Sequence, residues 1–403
     1  MINKEFDNKS FCVLPFIHLA THPIGTVTPC CITDMENDMS TAKKNGLNMF
    51  LNKDSLSEIT NSNSFNNIRK KMLNGEFPSE CKTCYFCEKN EIYSKRMESN
   101  LKFKHLIDGA INNTNNDGSL EKVNYKYIEL RLGTVCNLKC VTCNPFSSNR
   151  WNEDISVFKG TEFEKSYFKC DIRTEWFRDK NFYDELLTKC EGLEEVWING
   201  GEPTLIKEHG YFLEKLIETG KANKINLHYS LNMTDVPDRF VEIWKKFKQV
   251  RIHLSIDDLE KRNDYIRYGS KWDNIMKNFK KMLEYKEVFR LEVCQTVSAF
   301  NVYNIDNFKK MCLDYDVIVA HNYVNHPGFQ HVSIIPNEMK HEIIDNIQYL
   351  RDDEKARLIT ELFKDVDEDG MNKFVKFTYL LDNKREVKIT DYLPEWKKYF
   401  NHE

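Results

Sequence analysis

Among the 403 residues no apolar run approaches the roughly 18 to 20 that a membrane span requires, so a chain embedded in a bilayer is not expected. The opening Met1-Ile2-Asn3-Lys4-Glu5-Phe6-Asp7 lacks the apolar core of a secretory signal. An excess of one charge is missing too. Lys and Arg number 58 against 62 Asp and Glu, and the net charge of −4 makes no electrostatic case for a nucleic-acid partner. No internal repeat is visible, which removes solenoids and propellers. These absences leave a cytoplasmic protein without membrane or nucleic-acid contacts as the expectation. Hydrophobic residues make up 41% of the chain and aromatics 12%, enough for a packed core. The length exceeds the roughly 250–300 residues at which one core stops growing, so the chain should be subdivided.

Thirteen cysteines stand out against this background. In a reducing compartment they do not form a disulfide framework, and their number is odd. Nine fall in four places: Cys12, Cys30-Cys31, Cys81/Cys84/Cys87 and Cys136/Cys140/Cys143. Cys170, Cys190, Cys294 and Cys312 stand alone and read as small buried hydrophobes. The clustered nine point to metal.

In the first part of the chain, Phe11 to Leu19 and Gly25 to Cys31 read as two strands joined at His22-Pro23-Ile24-Gly25. Phe65, Ile68, Met72 and Leu73 repeat at helical spacing and stop at Asn74-Gly75, and a second helix is expected from about Glu88 to Leu106. The Gly- and Asn-rich stretch 109–121 reads as a linker. Beyond it, strand candidates at 125–132, 194–198, 224–231, 249–256, 290–297 and 331–335 alternate with helical stretches at 181–190, 207–219, 236–248, 271–287 and 303–313. That alternation predicts a parallel α/β unit, either an open sheet or a partial barrel. Residues 341–403 read as charged helices without a chemical motif.

Directly after the first of these strands stands Gly133-Thr134-Val135-Cys136-Asn137-Leu138-Lys139-Cys140-Val141-Thr142-Cys143. Three thiolates on one loop can hold three irons of a cubane and leave the fourth open for chemistry. A structural zinc site wants a fourth Cys or His nearby, and none follows. One strand later comes Asn199-Gly200-Gly201-Glu202-Pro203, where glycines admit close backbone approach and Glu202 can accept hydrogen bonds from a ligand ammonium.

Together these motifs resemble the radical S-adenosylmethionine superfamily over roughly residues 123–336. The resemblance implies a partial (β/α)6 TIM-type barrel with its site at the strand C-termini. It implies a 4Fe-4S cluster on Cys136, Cys140 and Cys143, with S-adenosylmethionine chelating the open iron and Gly200, Gly201 and Glu202 near the methionine ammonium. One-electron cleavage of the sulfonium then gives a 5′-deoxyadenosyl radical that abstracts hydrogen from a substrate. By the same template Asn232 and Ser255 close strands that carry ribose- and carboxylate-binding groups, and Arg267 reaches the cofactor carboxylate. Val297 to Asn301 and Ile334-Ile335-Pro336 border the adenine. Family members commonly place an aromatic residue just before the third cysteine; here it is Thr142, whose backbone can still meet the adenine. A reducing partner such as ferredoxin or flavodoxin is implied.

The series Cys12, Gly25-Thr26-Val27-Thr28-Pro29-Cys30-Cys31 and Cys81-Lys82-Thr83-Cys84-Tyr85-Phe86-Cys87 is similar to the auxiliary-cluster modules called SPASM or twitch domains, here ahead of the barrel. The simplest ligand set for a second 4Fe-4S cluster is Cys12, Cys30, Cys81 and Cys84, with Cys31 and Cys87 as alternates. Neighbouring side chains on a strand face opposite ways, so only one of Cys30 and Cys31 should meet the cluster. Zinc on the same four thiolates is the rival. The expected organisation is an auxiliary domain over 1–108, a linker over 109–121, the core over 122–340 and a helical extension over 341–403. Enzymes with such modules often modify peptides or proteins. The GTP cyclase of molybdopterin synthesis offers a small-molecule alternative, and a non-catalytic iron–sulfur or zinc protein is disfavoured by the intact motifs.

Overall fold

The computed structural model describes residues 9–33, 40–167 and 175–400; Cys170 lies outside them. Ten strands are present among the described residues: β1 His18–Thr21, β2 Val27–Thr28, β3 Lys43–Lys44, β4 Leu47–Asn48, β5 Tyr127–Leu132, β6 Glu195–Gly200, β7 Asn226–Leu231, β8 Gln249–Ser255, β9 Phe289–Val297 and β10 Ile318–Tyr323. Eight form one sheet in the order β10-β9-β8-β7-β6-β5-β1-β2, while β3 and β4 make a small hairpin. From β5 to β10 every neighbour is parallel, with the helices Lys180–Thr188, Glu208–Glu218, Asp238–Trp244, Trp272–Leu283 and Ile305–Asp314 in the crossovers. This is the expected α/β architecture of a partial barrel, and the sheet stays open, with β2 and β10 at its edges.

The strands alternate strictly. Ile128, Leu130, Leu132, Val196, Ile198, Leu227, Ile252 and Leu254 are buried under the helices in one large core. The opposite face carries Tyr127, Glu129, Arg131, Trp197, His228, His253, Glu292 and Cys294, the period-2 pattern of a sheet whose second face meets something polar. Cys190 and Cys312 are buried in the apolar core as expected, but Cys294 is half-buried on the polar face.

Expectations about elements change at two places in the chain. The sixth parallel strand is Ile318–Tyr323, whereas the apolar run 331–335 contains the 3-10 turn Val332–Ile334. Ile334 and Ile335 are apolar because they pack into a second core with the C-terminal helices, not because they pair in the sheet. β10 escaped detection because it is an edge strand with exposed Ile318 and Asn322 and a buried polar His321, whose ring meets Gln295 at 2.7 Å. The second difference is at the front of the chain. Phe11 to Leu19 begins as the helical turn Leu14–Ile17, with Pro15 in its first turn, and only then extends into β1. The span 88–106, expected as one helix, holds the end of the helix Lys82–Lys89, a break where Glu91 takes a positive φ of 58°, the helix Lys95–Lys102 and the 3-10 turn Lys104–Leu106.

The cysteine-rich front is not tethered loosely. β1 runs parallel to β5, pairing His18 with Tyr127 and Ala20 with Glu129, so it extends the sheet itself. The helix Asn63–Leu73 buries Phe65, Ile68 and Met72 on one face, and its Arg69 is buried too. That guanidinium donates to Pro15 O (3.0 Å), Thr60 O (2.8 Å) and Gly118 O (2.6 Å), which satisfies a cation removed from water. The helix Ile107–Asn112 runs into the expected linker, and Gly118 docks on the helix Asn63–Leu73, where a Cβ would lie 2.0 Å from Asn66 O.

The second core joins Trp151, Phe158 and Tyr167, which follow the cysteine loop, to Tyr265, Phe300 and the C-terminal residues Phe374, Phe377, Leu381 and Trp396. The extension is thus packed beside the C-terminal ends of the strands.

Candidate functional site

The ends of β5, β6, β7 and β8 converge because parallel strands deliver their C-termini to one edge. β5 leads into the loop with Cys136, Cys140 and Cys143; β6 ends in Gly200-Gly201-Glu202; β7 is followed by Asn232; and β8 ends in Ser255.

The cysteine loop is held by backbone contacts from distant segments. Lys139 N donates to Tyr268 O at 3.0 Å and Val141 N to Ile266 O at 2.8 Å. Gln330 Nε2 donates to Val141 O at 3.0 Å, Ser148 Oγ to Leu138 O at 2.5 Å and Trp151 Nε1 to Cys140 O at 3.1 Å. All three thiols are half-buried. Burial pushes the Cys140 thiol up to about 11 against the pull of Arg267, and it raises Cys136 and Cys143 as well. Thr142 sits in the turn closed by Cys143 N to Cys140 O at 3.0 Å.

The structure gives the paired glycines a reason that their composition does not. Gly200 has φ 129°, and a Cβ on it would lie 2.5 Å from Leu132 N; one on Gly201 would lie 2.2 Å from Val135 O. Gly201 N donates to Gly133 O (3.2 Å) and Glu202 N to Val135 O (2.7 Å). The glycines therefore let the end of β6 lie directly on the root of the cysteine loop. Glu202 is 1% exposed. Its Oε1 accepts from Thr204 N (3.2 Å) and Thr204 Oγ1 (2.7 Å), and Oε2 accepts from Asn232 N (2.6 Å). Burial raises its pKa in spite of these donors. A carboxylate accepts about four hydrogen bonds, so one position remains for a ligand donor.

Asn232 is spent on the same loop. Its Nδ2 donates to Asn137 Oδ1 at 2.8 Å and lies 3.9 Å from Cys136 Sγ, while its Oδ1 accepts from Thr234 N and Oγ1 at 2.9 and 2.6 Å. Arg267 is buried and donates through Nη1 to Asp257 Oδ2 at 2.8 Å; its buried Nε has no hydrogen-bond partner. Ser255 is half-buried, paired in register with Cys294. Ser298 and Asn301 are buried around Asp257, whose carbonyl accepts from Asn301 Nδ2 at 2.7 Å, and Ile334 and Ile335 lie in the second core.

In the front module Cys12, Cys30, Cys81 and Cys84 line one small cavity together with Leu14, Pro29, Lys95 and Arg96. Cys31 and Cys87 do not line it. Burial pushes the Cys12 and Cys30 thiols up to about 12 and raises Cys81 and Cys84. A cation that takes these thiols must displace their protons. Among the described residues no three Cys, His, Asp or Glu side chains converge tightly enough for a single metal ion. Cys31 turns the other way: its thiol is set against Glu129 on the polar sheet face, and its carbonyl accepts from Arg131 Nη2 at 3.2 Å.

Sequence reasoning did not single out that polar face. Burial opposes the charge on Glu129, but Arg131 and the hydrogen bonds from Arg131 and Asn199 hold its carboxyl below the usual range. Arg131 Nε and Asn199 Nδ2 donate to the same Oε1, at 3.1 and 3.3 Å. His18 is buried, stacked on Tyr127 at 4.1 Å, and neither ring nitrogen has a hydrogen-bond partner. Trp197 stacks on His228 and meets His253 edge-on, each at 5.3 Å, with its Nε1 unpartnered. Lys102 of the front module reaches across to pair with Glu195. The available signal was the alternation Tyr127-Ile128-Glu129-Leu130-Arg131, whose charged members cannot face a helix-covered core.

Residues 130–314 match the model of the Radical SAM superfamily, and residues 12–85 match that of the iron–sulfur cluster-binding domain called SPASM. Over 161 residues the chain is 27% identical to the GTP 3′,8-cyclase of Mannheimia succiniciproducens, covering 40% of this chain and 42% of that one. The match thus spans less than half the length of this curated relative. Among solved structures, native anSMEcpe with bound AdoMet is similar at 18% identity and TM-score 0.34, covering 49% of this chain and 50% of that one. Streptococcus suis SuiB bound to precursor peptide SuiA is similar at 16% identity and TM-score 0.35, covering 82% and 64%.

Proposed function

We propose that this chain, whose residues 130–314 match the Radical SAM superfamily and 12–85 the SPASM domain, is a radical S-adenosylmethionine enzyme with an auxiliary iron–sulfur module ahead of its core, and that it abstracts hydrogen from a side chain of a peptide or protein. In this reading residues 1–108 are the auxiliary module, 109–121 the connection, 122–340 the core and 341–403 a helical extension. Cys136, Cys140 and Cys143 hold the catalytic 4Fe-4S cluster, and Cys12, Cys30, Cys81 and Cys84 hold a second one. When bound, cluster and S-adenosylmethionine supply one-electron cleavage of the sulfonium and a radical that takes hydrogen. The residues present suit both groups. Arg267 offers a buried, unpartnered Nε to the cofactor carboxylate, and Glu202 retains one acceptor position for its ammonium. Gly200 and Gly201 fix that carboxylate to the cysteine loop, while Asn232 orients Asn137 within it. Thr142 and Ser255 border the same edge of the sheet. The polar face with Glu129, Arg131, His18 and Trp197 receives the substrate, and a ferredoxin or flavodoxin supplies the electron.

The observation that carries the reading is the register of β1 on β5. It sets Cys31, next to the proposed ligand Cys30, against Glu129 on the face below the cysteine loop, so the module and the core meet on that face. The identity with a GTP 3′,8-cyclase favours a second reading, a nucleotide-like small molecule. Anaerobic protein with dithionite and S-adenosylmethionine separates the two. A cell-extract fraction of small peptides should accelerate 5′-deoxyadenosine release, and protease treatment of that fraction should abolish the effect. Acceleration by GTP, or by a fraction that resists protease, would establish the small-molecule reading instead.

A further inference from the structure

We propose that Arg385, at the end of the helix Gly370–Arg385 in the C-terminal extension, is a positioning residue for the catalytic cysteine loop. The proposal rests on the reading that Cys136, Cys140 and Cys143 hold the cluster. Nothing in the sequence around Lys384-Arg385-Glu386 suggests such a role, since basic residues in a last helical turn ordinarily face water.

The guanidinium is 2% exposed and lies between two rings, 4.5 Å from the centroid of Tyr268 and 5.0 Å from that of Trp151. Its Nη2 donates to Lys139 O at 2.7 Å, the carbonyl just before Cys140. Its Nε donates to Asp154 Oδ2 at 2.8 Å, and the other oxygen of Asp154 accepts from Lys139 Nζ at 2.7 Å. Each surrounding group touches both the extension and the loop. Tyr268 Oη donates to Arg385 O at 3.2 Å, while Tyr268 O accepts from Lys139 N. Trp151 donates to Cys140 O.

This arrangement uses the planar guanidinium in a way a lysine cannot copy: two directed hydrogen bonds in one plane and a ring on each side. Lys139 is thereby held at its carbonyl, its amide and its ammonium, which fixes the backbone between the first and second cysteines. A cluster with one open iron has only three protein anchors, so the orientation of each thiolate matters more than in a four-ligand site. The extension therefore acts as a clamp on the loop, placed from a part of the chain outside the matched core.

The test uses full-length holoprotein with Arg385→Lys and Arg385→Met. Both are compared with the wild type by iron content, thermal unfolding and the EPR spectrum of the reduced protein with and without S-adenosylmethionine. Arg385→Lys should stay folded and keep its iron, yet lose the spectral change that S-adenosylmethionine induces. Arg385→Met should release the catalytic cluster, about half the iron. If Arg385→Met is unstable, Asp154→Asn, of the same shape, should alter the cofactor-induced spectrum in the same direction. Wild-type spectra in Arg385→Lys, Arg385→Met and Asp154→Asn would overturn the proposal and leave the cluster assignment standing. A wild-type protein with no cofactor-responsive signal would overturn that assignment and the proposal with it.

Discussion

Cys136, Cys140 and Cys143 lie on one short loop, whereas Cys12, Cys30, Cys81 and Cys84 come from three segments spread over the front of the chain. The first set is close in sequence yet held in shape by remote groups, namely Ile266, Tyr268, Gln330 and Arg385. The second is remote in sequence and gathered by local packing within its own module, with Arg96 on the cavity wall paired to Glu88. The electrostatics differ as well. The loop thiols face Arg267, a cation whose Nε is still without a partner, while the Arg96 beside the front thiols is already paired with Glu88. The difference is the one expected if the loop site binds and releases a cofactor and the front site is closed by four thiolates.

The largest expected effect breaks the comparison at the catalytic end. Replacing Cys136, Cys140 and Cys143 together by Ala should abolish 5′-deoxyadenosine formation and halve the iron from about eight per chain, two 4Fe-4S clusters. Undiminished cleavage by that variant would show that the front site carries the chemistry. Next come the single Ala variants of the front cysteines. Cys12→Ala, Cys30→Ala, Cys81→Ala and Cys84→Ala should each lower iron by up to half, while Cys31→Ala and Cys87→Ala keep it. Iron loss in Cys87→Ala with none in Cys12→Ala would mean that the Cys81/Cys84/Cys87 turn is the true anchor, and stoichiometric zinc in place of iron would make the front site structural.

Glu202→Gln sharpens the comparison without touching a cysteine. The substitution sets an amide NH2 against the donors Thr204 N or Asn232 N, a mismatch worth about 1–3 kcal/mol. S-adenosylmethionine should bind about tenfold or more weakly in a calorimetric titration, with iron unchanged; equal affinity would limit Glu202 to its turn.

The smallest effect lies at the seam between the two regions. Burial lowers His18 to about 4 from its ordinary 6.5, so the folded seam keeps it neutral while the unfolded chain protonates it. Its contribution is complete above pH 6.5 and is lost as pH falls toward about 4. Between pH 7 and pH 6 this amounts to about 0.7 kcal/mol. Anaerobic guanidinium unfolding at the two pH values should show that loss in the wild type and less of it in His18→Phe. An identical pH dependence in both would place the acid sensitivity elsewhere.

By itself the sequence determined the parallel α/β core, five of its six strands and the cysteine loop, because alternation, helical spacing and short-range motifs are all local properties. It also implied that only one of Cys30 and Cys31 would meet the front cavity; the two lie in the turn after β2, where Cys30 lines the cavity and Cys31 does not. Tertiary structure alone decided the rest. β10 is set by its pairing with β9, not by an apolar run, and Ile334-Ile335 is apolar for a different partner. Gly200 and Gly201 are needed where two loops touch, and that contact is invisible in either loop alone. The polar face meets the front module only when β1 joins β5 and Lys102 crosses to Glu195. Arg385 becomes part of the cysteine loop only when the second core forms. A buried cation is tolerable only where remote acceptors and rings meet it, and such a meeting has no signature in the order of residues.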